Sequence, residues 1–167
     1  MGESFSFAEN IMIIEMTRND FALLQEGKAP GGLRLERDVE LAPPMVLDML
    51  AGLAAQLAEQ FAPSAWMLVE EGEIVGIMSV TRLLDPGELH IGYGVAPARQ
   101  QRGFATQAVA ALLGWARCDG RVRSLSAETG ADNVASQRVL ERNGFVRVDD
   151  RIDPEDGPVI CWRIEVA

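Results

Sequence analysis

The chain has 167 residues, of which 48% are hydrophobic, enough to bury a real core in about one domain. Fifteen Lys and Arg against 25 Asp and Glu leave a formal net charge of −10, which argues against a general nucleic-acid binder, because phosphate contacts need clustered cations. Acidity suits cationic partners instead, although it is also an ordinary solubility feature.

The opening "MGESFSFAENIMIIEM" has no basic region followed by a long apolar run, so neither a signal peptide nor a membrane span is expected, and the cytoplasm is the default compartment. Within it "IMIIEM" reads as a strand. Asp20 is placed to cap a short helix through "FALLQEG". Pro43 and Pro44 open a longer helix, whose apolar stripe is Val46, Leu50, Leu53, Leu57 and Phe61. "WMLVEEGEIVGIMSV" is two apolar runs around Glu71-Gly72, a β-hairpin. "GELHIGYGV" is a strand with Leu89, Ile91, Tyr93 and Val95 on its apolar face. Glu88, His90, Gly92 and Gly94 lie on the other face; the two glycines suggest a bulge or a strongly twisted strand.

A helix follows Gly103, with Ala105, Ala108, Val109, Leu112, Leu113 and Ala116 at helical spacing. "VRSLSAE" is a strand. "NVASQRVLERNG" is a helix capped by Asp132 or Asn133 and ended at Asn143-Gly144. "FVRVDDRI" and "VICWRI" close the chain as strands around the turn "DPEDG". "VICWRI" reads equally as a dimer-forming edge, giving a homodimer, or as a covered strand. The order predicts an α/β domain on one mixed sheet. Cys118 and Cys161 stand far apart without a CxxC, and histidines are not clustered, so no disulfide scaffold and no metal site are expected.

The chemistry concentrates in "QQRGFATQAV", Gln100–Val109. A strand, a glycine turn and a helix start make an anion site, because the first amides of a helix lack partners and its dipole favours negative charge there. Gly103 lets a ligand approach closely and Arg102 adds a cation, although an ordinary strand-to-helix turn would carry the same glycine. Neither GxxxxGK[ST] nor GxGxxG is present.

Gln100-x-x-Gly103-x-Ala105 resembles the Q/R-x-x-G-x-G/A motif of the GNAT superfamily of N-acetyltransferases. "HIGYGVAPARQQRGFATQAVAALLGWA" is similar to that superfamily's fourth strand, pyrophosphate loop and following helix. "ETGADNVASQRVLERNGF" is similar to its fifth strand and next helix, in the branch of the ribosomal-protein-alanine acetyltransferases. The similarity covers residues 66–150, with residues 1–65 left as a variable acceptor-side region of one domain spanning 1–167. It implies a single, mostly antiparallel sheet of six to seven strands, with helices on both faces and splayed strands four and five. It also implies acetyl-CoA as cosubstrate, without a metal, and direct acetyl transfer to a primary amine of a cationic small molecule or a protein N-terminus.

Carried onto this chain, the resemblance places the pantetheine arm along Tyr93, Gly94 and Val95. The pyrophosphate falls at Gln100, with the amides of Gln101, Arg102, Gly103, Phe104, Ala105 and Thr106. Asn133 stands near the pantetheine, or is a plain helix cap. His90 occupies a position where many members carry a glutamate base, and its ordinary pKa near 6.5 suits that role. The alternative is a strand histidine bonded to a neighbour. Glu128 is a rival base or a solvated carboxylate. Where many members place a tyrosine acid, this chain has Leu140. Ser136 is then the candidate partner of the leaving thiolate and a cofactor contact, or else a first-turn helix serine. A CoA-binding sensor without catalysis and an acyltransferase using a bulkier acyl-CoA are the other readings.

Overall fold

The computed structural model describes residues 11–84 and 86–166; the opening ten residues of the N-terminal reading lie outside that range. Seven strands form one sheet. They are β1 (Met12–Glu15), β2 (Ala65–Glu70), β3 (Glu73–Leu84), β4 (Glu88–Val95), β5 (Ser124–Gly130), β6 (Val146–Asp153) and β7 (Gly157–Glu165), in the order β1-β2-β3-β4-β5-β7-β6. Every neighbouring pair is antiparallel except β4 and β5. The helices are α1 (Arg18–Gln25), α2 (Pro44–Leu57), α3 (Phe104–Cys118) and α4 (Val134–Arg142). This is the mixed α/β fold the sequence pattern implies, with seven strands among the described residues.

The alternation of buried side chains along β2 and β3 splits the core in two, because successive strand residues face opposite sides. Trp66, Leu68, Val75, Met78 and Val80 pack with the α3 residues Ala108, Val109, Leu112, Leu113 and Ala116 and with Leu140 of α4. Met67, Val69, Ile74 and Ile77 pack with Leu24 of α1 and Leu47 of α2 on the other side. Burial of each large apolar side chain is worth about 1.5–3 kcal/mol. Local chemistry departs from the sequence expectation at some of these elements and decides between its alternatives at others. Thr17, not Asp20, caps α1: its hydroxyl accepts from the Asp20 amide while the Asp20 carboxylate accepts from the Thr17 amide, a reciprocal capping box. Helix α2 stops before Phe61, which is buried beyond it, and Leu47 is its buried residue while Val46 stays half-buried. Ala105, in the first turn of α3, is only half-buried, so the buried stripe starts at Phe104 and continues at Ala108. Asn133 rather than Asp132 caps α4, accepting from the Ser136 amide at 3.2 Å. "VICWRI" lies in β7, which is paired on both sides, so it is no edge; β6 is the edge strand.

The feature that positions the site is the parting of β4 from β5. Their pairing runs only from Glu88–Ile91 to Ser124–Ala127. Past Ile91, β4 keeps β3 as its partner through Val95, while β5 keeps β7 through Gly130. The expected bulge at Gly92 and Gly94 is absent from β4. The extra residue sits opposite, in β3, where Thr81 is skipped between Val80 and Arg82.

Candidate active site

A groove of about 530 Å³ follows the parted edge of β4 to the start of α3 and the first turns of α4. Tyr93, Gly94 and Val95 line it from β4. Gln100, Gln101, Gly103, Phe104, Ala105 and Thr106 line it from the turn, and Asn133 and Ser136 from α4. Of the residues assigned to cofactor from sequence, only Arg102 has no part in the lining; it is exposed on the turn.

The turn is shaped by two left-handed residues, Gln101 (φ 64°) and Gly103 (φ 79°). Gly103 accommodates this conformation without strain, and Gln101 is held by its neighbours: the Gln100 side chain donates to the Val95 carbonyl at 3.0 Å. No side chain caps α3. Among the described residues the amides of Gln101 to Thr106 have no protein acceptor, while Gln107 closes the first helical bond onto the Gly103 carbonyl. A row of free donors at the positive end of a 15-residue helix is an anion cradle. Four further lining residues escaped the sequence reading: Ala135, Arg138, Val139 and Arg142. They recur at i, i+3, i+4 and i+7 along α4, a stripe that was available in the sequence. Arg99 is a fifth.

Tyr93 reaches across the parting. Its hydroxyl donates to the Ser136 carbonyl at 3.4 Å, and burial pushes its phenol up to about 12, so it stays protonated. Leu140 is fully buried in the core beneath. The Ser136 amide is spent on Asn133, and its half-buried hydroxyl has no protein partner among the described residues.

His90 and Glu128 do not line the groove. They occupy the opposite side of the sheet, where Arg82, His90, Ser126 and Arg163 form one cross-strand row. His90 Nδ1 lies 2.8 Å from Ser126 Oγ. With Nδ1 as the donor to Ser126, Nε2 of a neutral ring keeps its lone pair. Burial pushes the His90 pKa below its ordinary value, and Arg82 acts in the same direction against the pull of Glu128 and Glu88. The ring is therefore neutral at pH 7. Burial raises Glu88, but bonds from Arg163 (2.7 Å) and Ser124 (3.0 Å), with Ser126 nearby, outweigh it and leave the carboxyl lowered. Glu128 receives Arg151 at 2.6 Å and Arg82 at 3.4 Å, and the Arg151 bond holds its carboxyl below the ordinary range. A carboxylate so held is a weak base, which favours His90 over Glu128.

A parted parallel strand pair, an uncapped helix behind a glycine turn and a groove joining them form one continuous surface suited to a long, anionic ligand. The family model of the acetyltransferase (GNAT) domain matches residues 33–146, and the chain belongs to that family. The match begins well before Trp66, so part of the region read as variable carries family pattern. An uncharacterized N-acetyltransferase, YjdG of Bacillus subtilis (strain 168), is 31% identical over 87 residues, 49% of this chain and 51% of that protein. The ribosomal-protein-serine acetyltransferase of Escherichia coli (strain K12) is 30% identical over 82 residues, 48% of this chain and 46% of that protein. The matches thus span about half the length of these curated relatives. The second agrees with the ribosomal-protein branch indicated by the α4 motif, with serine in place of alanine in its name. In fold, a spermidine N-acetyltransferase chimera from Vibrio cholerae and hSSAT superposes with a TM-score of 0.70 at 14% identity, covering 94% of this chain and 96% of that one. RimL, a ribosomal α-N-protein acetyltransferase in complex with coenzyme A, superposes with a TM-score of 0.69 at 16% identity, covering 93% and 94%. Among the described residues no group of three or more His, Cys, Asp or Glu is placed to hold a metal, and no helix is long and apolar enough to cross a membrane.

Proposed function

We propose that this acetyltransferase is an acetyl-CoA-dependent N-acetyltransferase. It transfers the acetyl group directly to a primary amine, of a cationic small molecule or a protein N-terminus. The observation that carries the reading is the continuous groove from the free β4 edge at Tyr93–Val95 to the unpartnered amides of Gln101–Thr106. The pantetheine arm pairs with the first, and the pyrophosphate sits on the second. Residues 66–150 hold the thioester; residues 1–65 and the β6–β7 turn receive the amine from the His90 side of the sheet.

In this reading the amine nitrogen attacks the thioester carbonyl where β4 and β5 part. A lysine-like amine with pKa about 10.4 is neutral in roughly one molecule in 2,500 at pH 7, so proton removal matters. Nε2 of His90, directly or through a water, takes the proton as the C–N bond forms. When the C–S bond breaks, the electron pair stays on sulfur, and the Ser136 hydroxyl or a water supplies its proton. A thiol pKa near 8.5 makes a strong acid unnecessary.

Micromolar affinity for acetyl-CoA, about −8 kcal/mol, is expected at the turn. The test is Gly103→Asp. Space exists there, since an added Cβ meets only the Gln107 side chain at 4.0 Å, and aspartate tolerates the left-handed conformation better than most residues. The fold should survive while a carboxylate faces the pyrophosphate. Calorimetry should then show no CoA binding; normal binding by this variant would place the cofactor elsewhere.

A further inference from the structure

The proposed chemistry leaves one buried charge unused. Glu73, the first residue of β3, is 7% exposed, and it faces neither the groove nor the His90 row. Its two oxygens accept from Nε and Nη2 of Arg99 at 3.1 and 2.8 Å. The same guanidinium donates from Nη1 and Nη2 to Asp38 at 2.8 and 3.1 Å. Two forked pairs on one guanidinium fix it in every direction.

What Arg99 is fixed for follows from its place. It is the last residue of the 3₁₀ turn Pro97–Arg99, directly before the turn that ends at Gly103 with Gln101 left-handed. Other bonds attach the same region to β3. The Ala96 amide donates to the Val75 carbonyl at 2.8 Å, and the segment carrying Asp38 is tied to the β3 start through Arg34 and Gly72. A short connection with a left-handed glutamine and no capping side chain has little of its own to hold it in shape. Arg99 anchors its entry to the most rigid part of the sheet.

We propose that Glu73 and Asp38 are positioning residues that act through Arg99 to hold the turn Gln100–Gly103 in the form that takes a pyrophosphate. This rests on the placement of the pyrophosphate at that turn. A buried pair would otherwise be a poor source of stability, because desolvating two charges cancels most of their attraction. Neither acid touches the ligand, and a carboxylate beside a pyrophosphate would repel it. Arg99 offsets the buried charge of Glu73, and Asp38 lies out toward solvent.

The test compares two thioesters, acetyl-CoA and S-acetylpantetheine, which carry the same reacting group but differ in the pyrophosphate. The wild type should prefer acetyl-CoA strongly in kcat/KM. Glu73→Gln keeps size and shape, and should lower kcat/KM for acetyl-CoA at least tenfold more than for acetylpantetheine, the loss residing in KM. Asp38→Asn sits at an exposed position where folding is safe, and should move the same ratio in the same direction by about threefold. In an Arg99→Met background, Glu73→Gln should change the ratio no further, because the two act as one unit. Equal losses with both thioesters, or an additive effect on top of Arg99→Met, would make Glu73 merely structural and overturn the proposal. A wild type that uses both thioesters equally would overturn the pyrophosphate placement itself.

Discussion

In the proposed reaction His90 and Ser136 carry opposite halves of the proton traffic from opposite sides of one sheet. His90 is bonded to a neighbour, as one reading of the sequence had it, yet with Nδ1 donating to Ser126 its Nε2 is free to act as a base. Its burial-lowered pKa puts the acid limb of kcat/KM below pH 6.5, with rate rising as pH rises and levelling above it. His90→Gln keeps size and hydrogen bonding but takes up no proton. The limb should disappear and kcat/KM fall about 10²-fold, measured with one amine of known pKa. A retained limb would assign the proton to water. Ser136 is different, because its backbone is committed to Asn133 and Tyr93 while its hydroxyl is not. Ser136→Ala should leave CoA affinity intact by calorimetry and lower kcat about tenfold to a hundredfold in steady-state assays. An unchanged kcat would reduce Ser136 to a helix residue.

The elements of the site depend on backbones brought closer than side chains allow. An added Cβ at Gly76 in β3 would sit 2.3 Å from the Gly94 carbonyl and 3.0 Å from Leu68. Gly76→Ala therefore pushes on the β4 segment that faces the groove. It should cost about 1–3 kcal/mol, seen as a lower denaturant midpoint, and weaken CoA binding in the folded variant. Gly94→Ala, where open space surrounds the added atom, should fold normally. Sequence reading reached β4, the Gly103 turn, α3 and α4 because each carries a period and a breaker: alternation along Leu89–Val95, the helical stripe Ala108–Ala116, the Asn143-Gly144 stop. It reached the turn amides because an uncapped helix behind a glycine is written in order along the chain. It did not reach the bulge at Thr81, which exists only in the register between two strands, or the Arg99–Glu73 pair, 26 residues apart. The edge position of β6 was equally hidden, since strand order is set by which edge accepts the last hairpin.

For the molecule as a whole, acid should unfold it earlier than its acidic composition suggests. Protonating carboxylates relieves the self-repulsion of a chain with net charge −10, which favours the folded state as pH falls. Two sets of groups oppose this. Glu88, Glu128 and Asp153 have folded pKa values below their unfolded ones, so their contribution is present above about pH 4.5 and lost as pH falls through the folded values. His90 acts higher on the scale. Its folded pKa is also depressed, so between 6.5 and that lower value the unfolded chain binds the proton and the folded one does not. Stability therefore falls as pH drops below 6.5, before any carboxylate titrates, and each unit of depression is worth about 1.4 kcal/mol, a few degrees in Tm. Repulsion between carboxylates changes little in that interval, because they remain ionised. The measurement is Tm against pH for the wild type and for His90→Gln. Their difference should be constant above pH 7 and should shift in favour of the glutamine variant from pH 6.5 downward. Parallel curves over that interval would mean that His90 accepts its proton in the folded protein as readily as in water.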